Sequence, residues 1–222
     1  MSDTQVIHGS SAKPRSNNAV KVAIALVLAL VAAFAGRVLW HRLAVQKAVP
    51  QELAALRASR QDLSEIIESY RRQRGYYPPS SQLPGGQDGV LNPLFYELEG
   101  TRHKASEHTY NLPTTKDPVT QANLKEWFGL EGLSNSLPMP EWPTNFTSGH
   151  ALGFRTVRDD TEVLGLEPND AVRTEDLVDD LVVSTWRYRT GPGIHNTGKF
   201  DIWVEMDALG KHYTIGNWPG VE

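Results

Sequence analysis

The strongest hydrophobic pattern of the chain lies near its N-terminus. Between Lys21 and Arg37 there are fifteen residues, and none of them is charged or polar. Extending the run from Ala19 to Trp40 gives 22 residues, which exceeds the roughly 20 that a membrane-crossing helix needs. The Lys and Arg side chains reach toward water at the two ends, and Trp is typical of the membrane interface. The pattern therefore predicts a transmembrane helix over residues 19–40.

Two other interpretations of this run are a buried helix of a soluble domain and a cleaved signal peptide. A soluble helix normally carries polar residues at helical spacing, which this run lacks. Ala33 and Ala35 fit a small-residue cleavage site only loosely, so a retained anchor is favoured. Residues 1–18 are polar and aperiodic, which predicts a disordered tail. The flanking positive charges are balanced and do not set an orientation: Lys13, Arg15 and Lys21 precede the run, and Arg37, Arg42 and Lys47 follow it.

The next pattern is amphipathic and predicts a helical stalk over residues 41–74. Pro50 suits the first turn of a helix, and Gly75 with the following prolines suits its end. With a bend at Pro50, residues 19–74 would form one long interrupted helix. The expected position of its apolar stripe is against the protein's own sheet, and the alternative is a coiled coil with a partner. The stripe consists of Leu53, Leu56, Leu63, Ile67 and Tyr70.

The C-terminal part has the short alternating pattern of strands. Three segments are rich in β-branched and aromatic residues and are separated by Gly-containing turns, which predicts an antiparallel meander. The segments are Leu181–Tyr188, Phe200–Met206 and Lys211–Ile215. A long helix laid across this sheet would bury its inner face, so the predicted fold class is α+β.

The middle of the chain is less regular. Residues 92–98 predict a short helix, and residues 101–180, which are rich in Pro, look like an insertion in a globular domain spanning 75–222. Within that insertion, one strand is expected near Ala151–Val157 and one acidic helical turn near Asp176–Leu181.

Charge separates the chain into two parts. Residues 1–47 carry six basic and one acidic residue, giving +5, whereas the remaining 16 basic and 25 acidic residues give −9, for the net charge of −4. An acidic body argues against nucleic acid as a partner. The chain has no Cys, which excludes a disulfide framework, a thiolate metal site and a cysteine nucleophile.

Several segments, in this order, resemble type IV pilin-like proteins and the major pseudopilins of bacterial type II secretion systems. The segment Tyr70-Arg71-Arg72-Gln73-Arg74-Gly75-Tyr76-Tyr77-Pro78 follows an apolar and then an amphipathic helix, as in those proteins. The closing strands from Phe200-Asp201-Ile202-Trp203 to Ile215-Gly216-Asn217-Trp218, and the segment 92–98, are also similar. The likeness covers about residues 19–100 and 181–218.

The resemblance implies a pilin-like fold and a structural role in a secretion or related envelope assembly. It implies one pass through the inner membrane, with residues 1–18 cytoplasmic and the C-terminal domain outside the cytoplasm. Partners would be the membrane, other pseudopilin or secretion-system subunits, and further copies of the chain. The resemblance implies no catalysis.

Two features depart from that family. The apolar run opens without the Gly junction and without the Glu at its fifth position, so processing by a prepilin peptidase is not implied and a permanent anchor is expected. Major pseudopilins hold calcium in the loop before the last strand, where this chain offers Glu205 and Asp207 but has Thr214 in place of an Asp. We expect no calcium site and no other metal or cofactor.

The sequence has none of the common catalytic motifs for a nucleophile elbow, a zinc helix or a phosphate loop, and no catalytic residue is assigned. His103 and His108 are expected in a solvated loop. A second hypothesis is a membrane-tethered module that binds polysaccharide through exposed aromatic residues, with Trp127 and Trp142 as candidates. Trp186, Trp203 and Trp218 are expected to pack against the helix. A third hypothesis, an anchored hydrolase, would use the carboxylates of Asp159-Asp160 or Asp176–Asp180.

Overall fold

The computed structural model describes residues 18–83, 92–113, 118–147, 154–158, 161–164, 181–192 and 195–221. Its fold class is α+β, as predicted. The helices are α1 (Asn18–Arg74), α2 (Leu94–Glu99) and α3 (Gln121–Phe128). The strands are β1 (Thr101–Lys104), β2 (Thr109–Asn111), β3 (Val119–Thr120), β4 (Ser136–Pro138), β5 (Phe154–Arg158), β6 (Thr161–Leu164), β7 (Leu181–Val183), β8 (Arg187–Pro192), β9 (Thr197–Ala208) and β10 (Lys211–Gly216).

The chain divides into two compact units, residues 1–42 and residues 43–222, and helix α1 contributes to both. Within the first unit, every residue from Val20 to Trp40 is exposed. An 18-residue window of this helix has a mean hydropathy of 2.5 and none of it is buried. The predicted long apolar helix at the N-terminus is therefore confirmed, and it is long and apolar enough to cross a membrane.

The second unit begins inside helix α1, and here the helix buries one face. The predicted stripe is confirmed at Leu56, Leu63, Ile67 and Tyr70, which are fully buried, while Leu53 is half-buried. The prediction that Pro50 lies in the first turn of a helix is wrong, because Pro50 lies in the interior of α1. Proline removes one backbone hydrogen bond there. Val45 and Val49 before it and Leu56 after it belong to one buried cluster, so the helix contributes to the same core on both sides of Pro50.

The C-terminal sheet is built around β9. Strand β10 pairs antiparallel with one edge of β9, joined to it by a tight turn in which Leu209 and Gly210 both have positive φ, as a two-residue hairpin turn requires. On the other edge, β7 pairs with the C-terminal part of β9 and β8 with its N-terminal part. The prediction of a single strand over 181–188 is therefore wrong, since Ser184, Thr185 and Trp186 interrupt it.

One buried cluster connects this sheet to helix α1. The alternating inner face of β9 is buried together with the stripe of α1; its members are Phe200, Ile202, Val204, Met206 and Ala208. The guanidinium of Arg60 also donates a hydrogen bond to the carbonyl of Gly216 at 2.9 Å. Within the second unit, the stripe thus packs against the protein's own sheet, as expected.

A second sheet lies in the region predicted to be an insertion. Its strand order is β3-β2-β1-β4, with β1 antiparallel to β2 and parallel to β4. Residues from this region, including Tyr110, Leu124 and Phe128, belong to the same buried cluster as Tyr70. The described part of this region up to residue 147 thus forms part of the core. Whether 101–180 is an insertion relative to related proteins stays a prediction. The expected strand near 151–157 is confirmed over Phe154–Val157, in a hairpin of β5 with β6.

Candidate functional site

The first candidate surface is the exposed apolar part of helix α1. Phe34 is 71% exposed and Leu30 70%, although burial of such a side chain is worth about 1.5–3 kcal/mol. Val20, Ala23, Ile24, Val27 and Leu28 line a shallow, almost entirely apolar groove of about 520 Å³ on this surface. A water-exposed helix with this composition would be strongly disfavoured, so the surface fits a hydrocarbon environment.

The second candidate is a buried polar cluster at the C-terminal end of α1, which we call the Glu97 network. The Glu97 carboxylate, on α2, accepts hydrogen bonds from the Tyr70 hydroxyl at 2.8 Å and from the backbone N–H groups of Ser134 at 2.6 Å and Asn135 at 2.8 Å. The side-chain amide of Asn135 donates to the carbonyl of Glu97 at 2.7 Å, and Arg74 donates to Asn135 Oδ1. One carboxylate thereby joins α1, α2 and the segment before β4.

Burial shifts the ionisation of this network. It raises the pKa of Glu97 above its ordinary value, because a carboxylate without water is unstable. The Ser134 N–H, the Tyr70 hydroxyl, the Asn135 N–H and the charge of Arg74 act in the opposite direction. Burial, together with the neighbouring Glu97, also raises the pKa of Tyr70. Glu97 is fully buried, so the network connects elements inside the domain and offers no surface for a substrate.

The residues that follow α1 are also held by hydrogen bonds. The Tyr77 hydroxyl donates to Glu68 at 3.0 Å and accepts from Arg71 at 2.7 Å. The buried Tyr188 hydroxyl of β8 donates to the carbonyl of Pro78 at 2.8 Å. The segment Tyr70–Pro78 therefore ties the end of α1 to the C-terminal sheet, which is a structural role.

The carboxylates considered for calcium lie within a strand. Glu205 lies in β9, within the predicted strand Phe200–Met206, and β9 extends through Asp207, which was expected to begin the turn. Arg187 donates to Glu205 at 2.6 Å, and Asp207 contacts the His212 ring at 2.8 Å, whereas Thr214 lies opposite Glu205 in β10. In the described part of the chain, no group of three or more His, Asp or Glu residues is arranged to hold a metal ion.

The aromatic residues at the C-terminus form a cluster around Gly216. Trp203 lies opposite Gly216 and alternates with the buried Ile202 and Val204, so it faces away from helix α1. The expectation that Trp203 packs against the helix is therefore wrong. The Trp218 ring lies where a Cβ of Gly216 would project, 2.8 Å from that position, and it meets the Trp203 ring edge-on and the His195 ring face-on. The expectation is also wrong for Trp218, whose ring lies on the same side as Trp203, whereas Trp186 is buried in the cluster that contains the α1 stripe.

The two aromatic candidates for polysaccharide binding differ. Trp127, on α3, is only 8% exposed and meets Phe128 edge to face, so it is not available for stacking on a sugar. Trp142 is 43% exposed, and the Arg102 guanidinium lies 3.7 Å from the centre of its ring. Arg102 was not singled out by sequence reasoning, since its position over the ring depends on a loop that returns from β4 to β1.

Of the histidines, His103 lies in β1 and stacks on Tyr110 at 4.7 Å. The prediction of a solvated loop is therefore wrong for His103, but His108 does lie in the turn between β1 and β2 with a positive φ. The carboxylate candidates Asp159-Asp160 and Asp176–Asp180 lie outside the described residues.

Comparisons with protein-family models, with curated proteins and with solved structures found no significant match to this chain. A functional proposal for this chain therefore rests on its own geometry.

Proposed function

We propose that this protein is a membrane-anchored, pseudopilin-like structural component of a type II secretion or related envelope assembly. It acts by subunit packing and protein recognition and not by catalysis. Its helix spans the inner membrane once, with the N-terminal tail in the cytoplasm and the C-terminal domain outside. Its partners are the membrane, further copies of the chain and other subunits of the assembly.

The observation that carries this proposal is the change of environment along one helix. From Val20 to Trp40 the side chains of α1 are exposed and almost all apolar, whereas from Val45 to Tyr70 one face is buried in the domain. The first part of such a helix anchors a domain in a bilayer, and the second part belongs to the core of that domain. The two roles of one continuous helix support a pilin-like architecture.

The C-terminal domain supports the same proposal. The inner face of an antiparallel sheet packs in one cluster with α1, and the Glu97 network with the Tyr188–Pro78 hydrogen bond fixes the end of the helix. The ionisable groups with shifted pKa values, Glu97, Tyr70, Tyr77, Tyr110 and Tyr188, are engaged in packing or hydrogen bonds. They therefore favour a structural role over an acid–base one.

A glycan-binding module tethered to the membrane is the second candidate, and exposed Trp142 is the observation that favours it. It is compatible with the first, because Trp142 lies outside the core that holds α1.

The proposal is tested by cysteine scanning in the full-length chain, which has no native Cys. Each position from 24 to 31 is changed singly to Cys, and membranes are treated with a short bis-maleimide. Packing of helices in an assembly should give dimers and higher ladders whose yield follows the helical period of about 3.6 residues. Equal yield at all eight positions, the signature of random collision, would contradict subunit packing.

Topology is measured with two further variants. In spheroplasts, an impermeant maleimide should label Lys199→Cys in the C-terminal domain but label Ser10→Cys only after lysis. The reverse pattern would contradict the proposed orientation while leaving the membrane anchor intact.

A further inference from the structure

The second sheet carries an arginine whose hydrogen-bonding capacity is unused within the described residues. Arg102 lies in β1, a central strand with β2 on one side and β4 on the other. Its guanidinium makes no hydrogen bond or ion pair with any described side chain, and its Nε is buried without a partner. Buried donors are usually satisfied, so an Arg in this state calls for an explanation.

Its surroundings orient this guanidinium. Trp142, from the loop after β4, stacks on it at 3.7 Å. That loop is held in turn by hydrogen bonds from the Met139 N–H to the His103 carbonyl at 3.2 Å and from the Glu141 N–H to the Pro138 carbonyl at 3.1 Å. A planar guanidinium fixed by stacking loses little entropy when it binds a carboxylate through two parallel hydrogen bonds.

The charges next to this site balance. Lys104 lies two residues further along the same face of β1, where its partner is the exposed Glu107. Glu141 directly precedes Trp142. Arg102, Lys104, Glu107 and Glu141 together therefore carry no net charge, so a carboxylate would be recognised by the directed N–H donors of Arg102 and not by the local charge.

The shape of the sheet edge argues against a peptide as the ligand. Beside Arg102 the edge strand is β4, which has only three residues and ends in Pro138, whose nitrogen carries no hydrogen. The next N–H, that of Met139, is already bonded. An added peptide strand would find few main-chain partners here, whereas a sugar ring needs only the part of the Trp142 indole that the guanidinium leaves exposed and a charged group for Arg102.

From these observations we infer that Arg102 and Trp142 form a binding site for an acidic sugar, a uronate residue of an oligosaccharide. The carboxylate pairs with the Arg102 guanidinium and the sugar ring packs against Trp142. This inference narrows the glycan-binding candidate to one chemical class and two residues. It is independent of the assembly role, which cysteine cross-linking tests separately.

The experiment measures calorimetric binding to the full-length chain in lipid nanodiscs. Trigalacturonate is the probe, and its methyl ester, which keeps the rings and removes the charges, is the matched control ligand. We expect saturable binding of trigalacturonate and a Kd for the ester at least about tenfold higher, since a charge-assisted pair is lost.

Two variants locate the site. Arg102→Lys keeps the charge but not the bidentate geometry, and should raise the Kd about tenfold. Lys199→Gln, which removes an exposed positive charge from β9, should leave the Kd within about twofold, because its contribution is screened. Thermal unfolding of both variants establishes that they are folded.

Three results would overturn the inference. They are no binding of trigalacturonate, an unchanged Kd in folded Arg102→Lys, and equal affinity for the acid and its ester. The last would retain a glycan-binding surface but remove the carboxylate from it. Competition by triglutamate as strong as that of trigalacturonate itself would assign the site to acidic peptides instead.

Discussion

The two parts of helix α1 have the same backbone but opposite surroundings. Up to Trp40 its side chains are exposed on all sides, and from Val45 onward one face is buried and the others remain polar. Pro50 does not mark the change, because it lies inside the second part and the helix continues through it. The distribution of apolar side chains around the helix, and not a break in the backbone, therefore distinguishes the exposed apolar part from the part in the core.

The largest expected effect comes from charging the exposed part. Changing Leu26 and Leu30 together to Asp should cost about 3 kcal/mol per substitution for insertion into a bilayer. Most of the full-length chain should then leave the membrane fraction on alkaline extraction.

The control places a charge on the exposed face of the second part of α1. Gln61→Asp should stay in the membrane fraction. Full retention of the Leu26→Asp, Leu30→Asp variant would show that this segment does not hold the protein in the membrane.

The second effect concerns the buried part. Leu63 is fully buried, so Leu63→Ala should lower the free energy of unfolding by about 2–5 kcal/mol through lost contacts and a cavity. The exposed Arg72→Ala, on the same helix, should change it by no more than about 0.5 kcal/mol. Chemical unfolding of the purified chain measures both, and equal effects would remove the distinction between the two faces.

The third prediction sharpens the role of the Glu97 network at the end of the buried part. Glu97→Ala should cost about 1–3 kcal/mol, because the Tyr70 hydroxyl and two N–H groups lose their acceptor. The raised pKa of Glu97 gives a further signature. The Glu97 carboxyl keeps its proton to higher pH in the folded protein than in the unfolded chain, where its pKa is about 4.5. The contribution of Glu97 to the free energy of unfolding should therefore fall as pH rises from about 4.5 through the folded-state pKa.

Glu97→Gln cannot ionise and should remove that fall. Unfolding midpoints measured from pH 4 to 8 should therefore vary less in Glu97→Gln than in the parent protein. An unchanged pH profile would mean that Glu97 ionises equally well in the folded and unfolded states.

The smallest change in the free energy of unfolding is expected on the outer face of the C-terminal sheet, which is distant in sequence from both parts of α1. Gly216→Ala would place a methyl group 2.8 Å from the Trp218 ring and should cost about 1 kcal/mol by displacing it. In a Trp218→Ala background the same change should be nearly neutral. A double-mutant cycle without coupling would show that the ring does not require the glycine.

Much of this fold follows from local patterns. The apolar run over 19–40 and the stripe from Leu56 to Tyr70 predict α1 because helical periodicity is a property of neighbouring residues. The alternation of Phe200–Met206 similarly predicts β9 and its buried face. In contrast, the break at Ser184–Trp186 could not be predicted, because the end of β7 and the start of β8 are set by their separate pairings with β9.

The candidate sites were less accessible to sequence reasoning. Trp127 and Trp142 look alike in a Pro-rich segment, but Trp127 is a buried residue of α3, whereas Trp142 is exposed beside Arg102. Residues 101–147 lack long periodic segments since their strands have only two to four residues. Strands that short derive their stability from partners distant in sequence, so their pattern carries little signal.

The sequence by itself determined an apolar N-terminal helix, an amphipathic continuation, a C-terminal antiparallel sheet and therefore an α+β chain. Only the tertiary structure decided that α1 runs through Pro50, that a second sheet joins the core, that Glu97 ties Tyr70 to Asn135, and that Arg102 lies over Trp142. Periodic burial depends on residues within a few helical turns or within one strand. The contacts of Glu97 and Arg102 instead join residues 27 to 40 positions apart. Those residues come together only when the whole core packs.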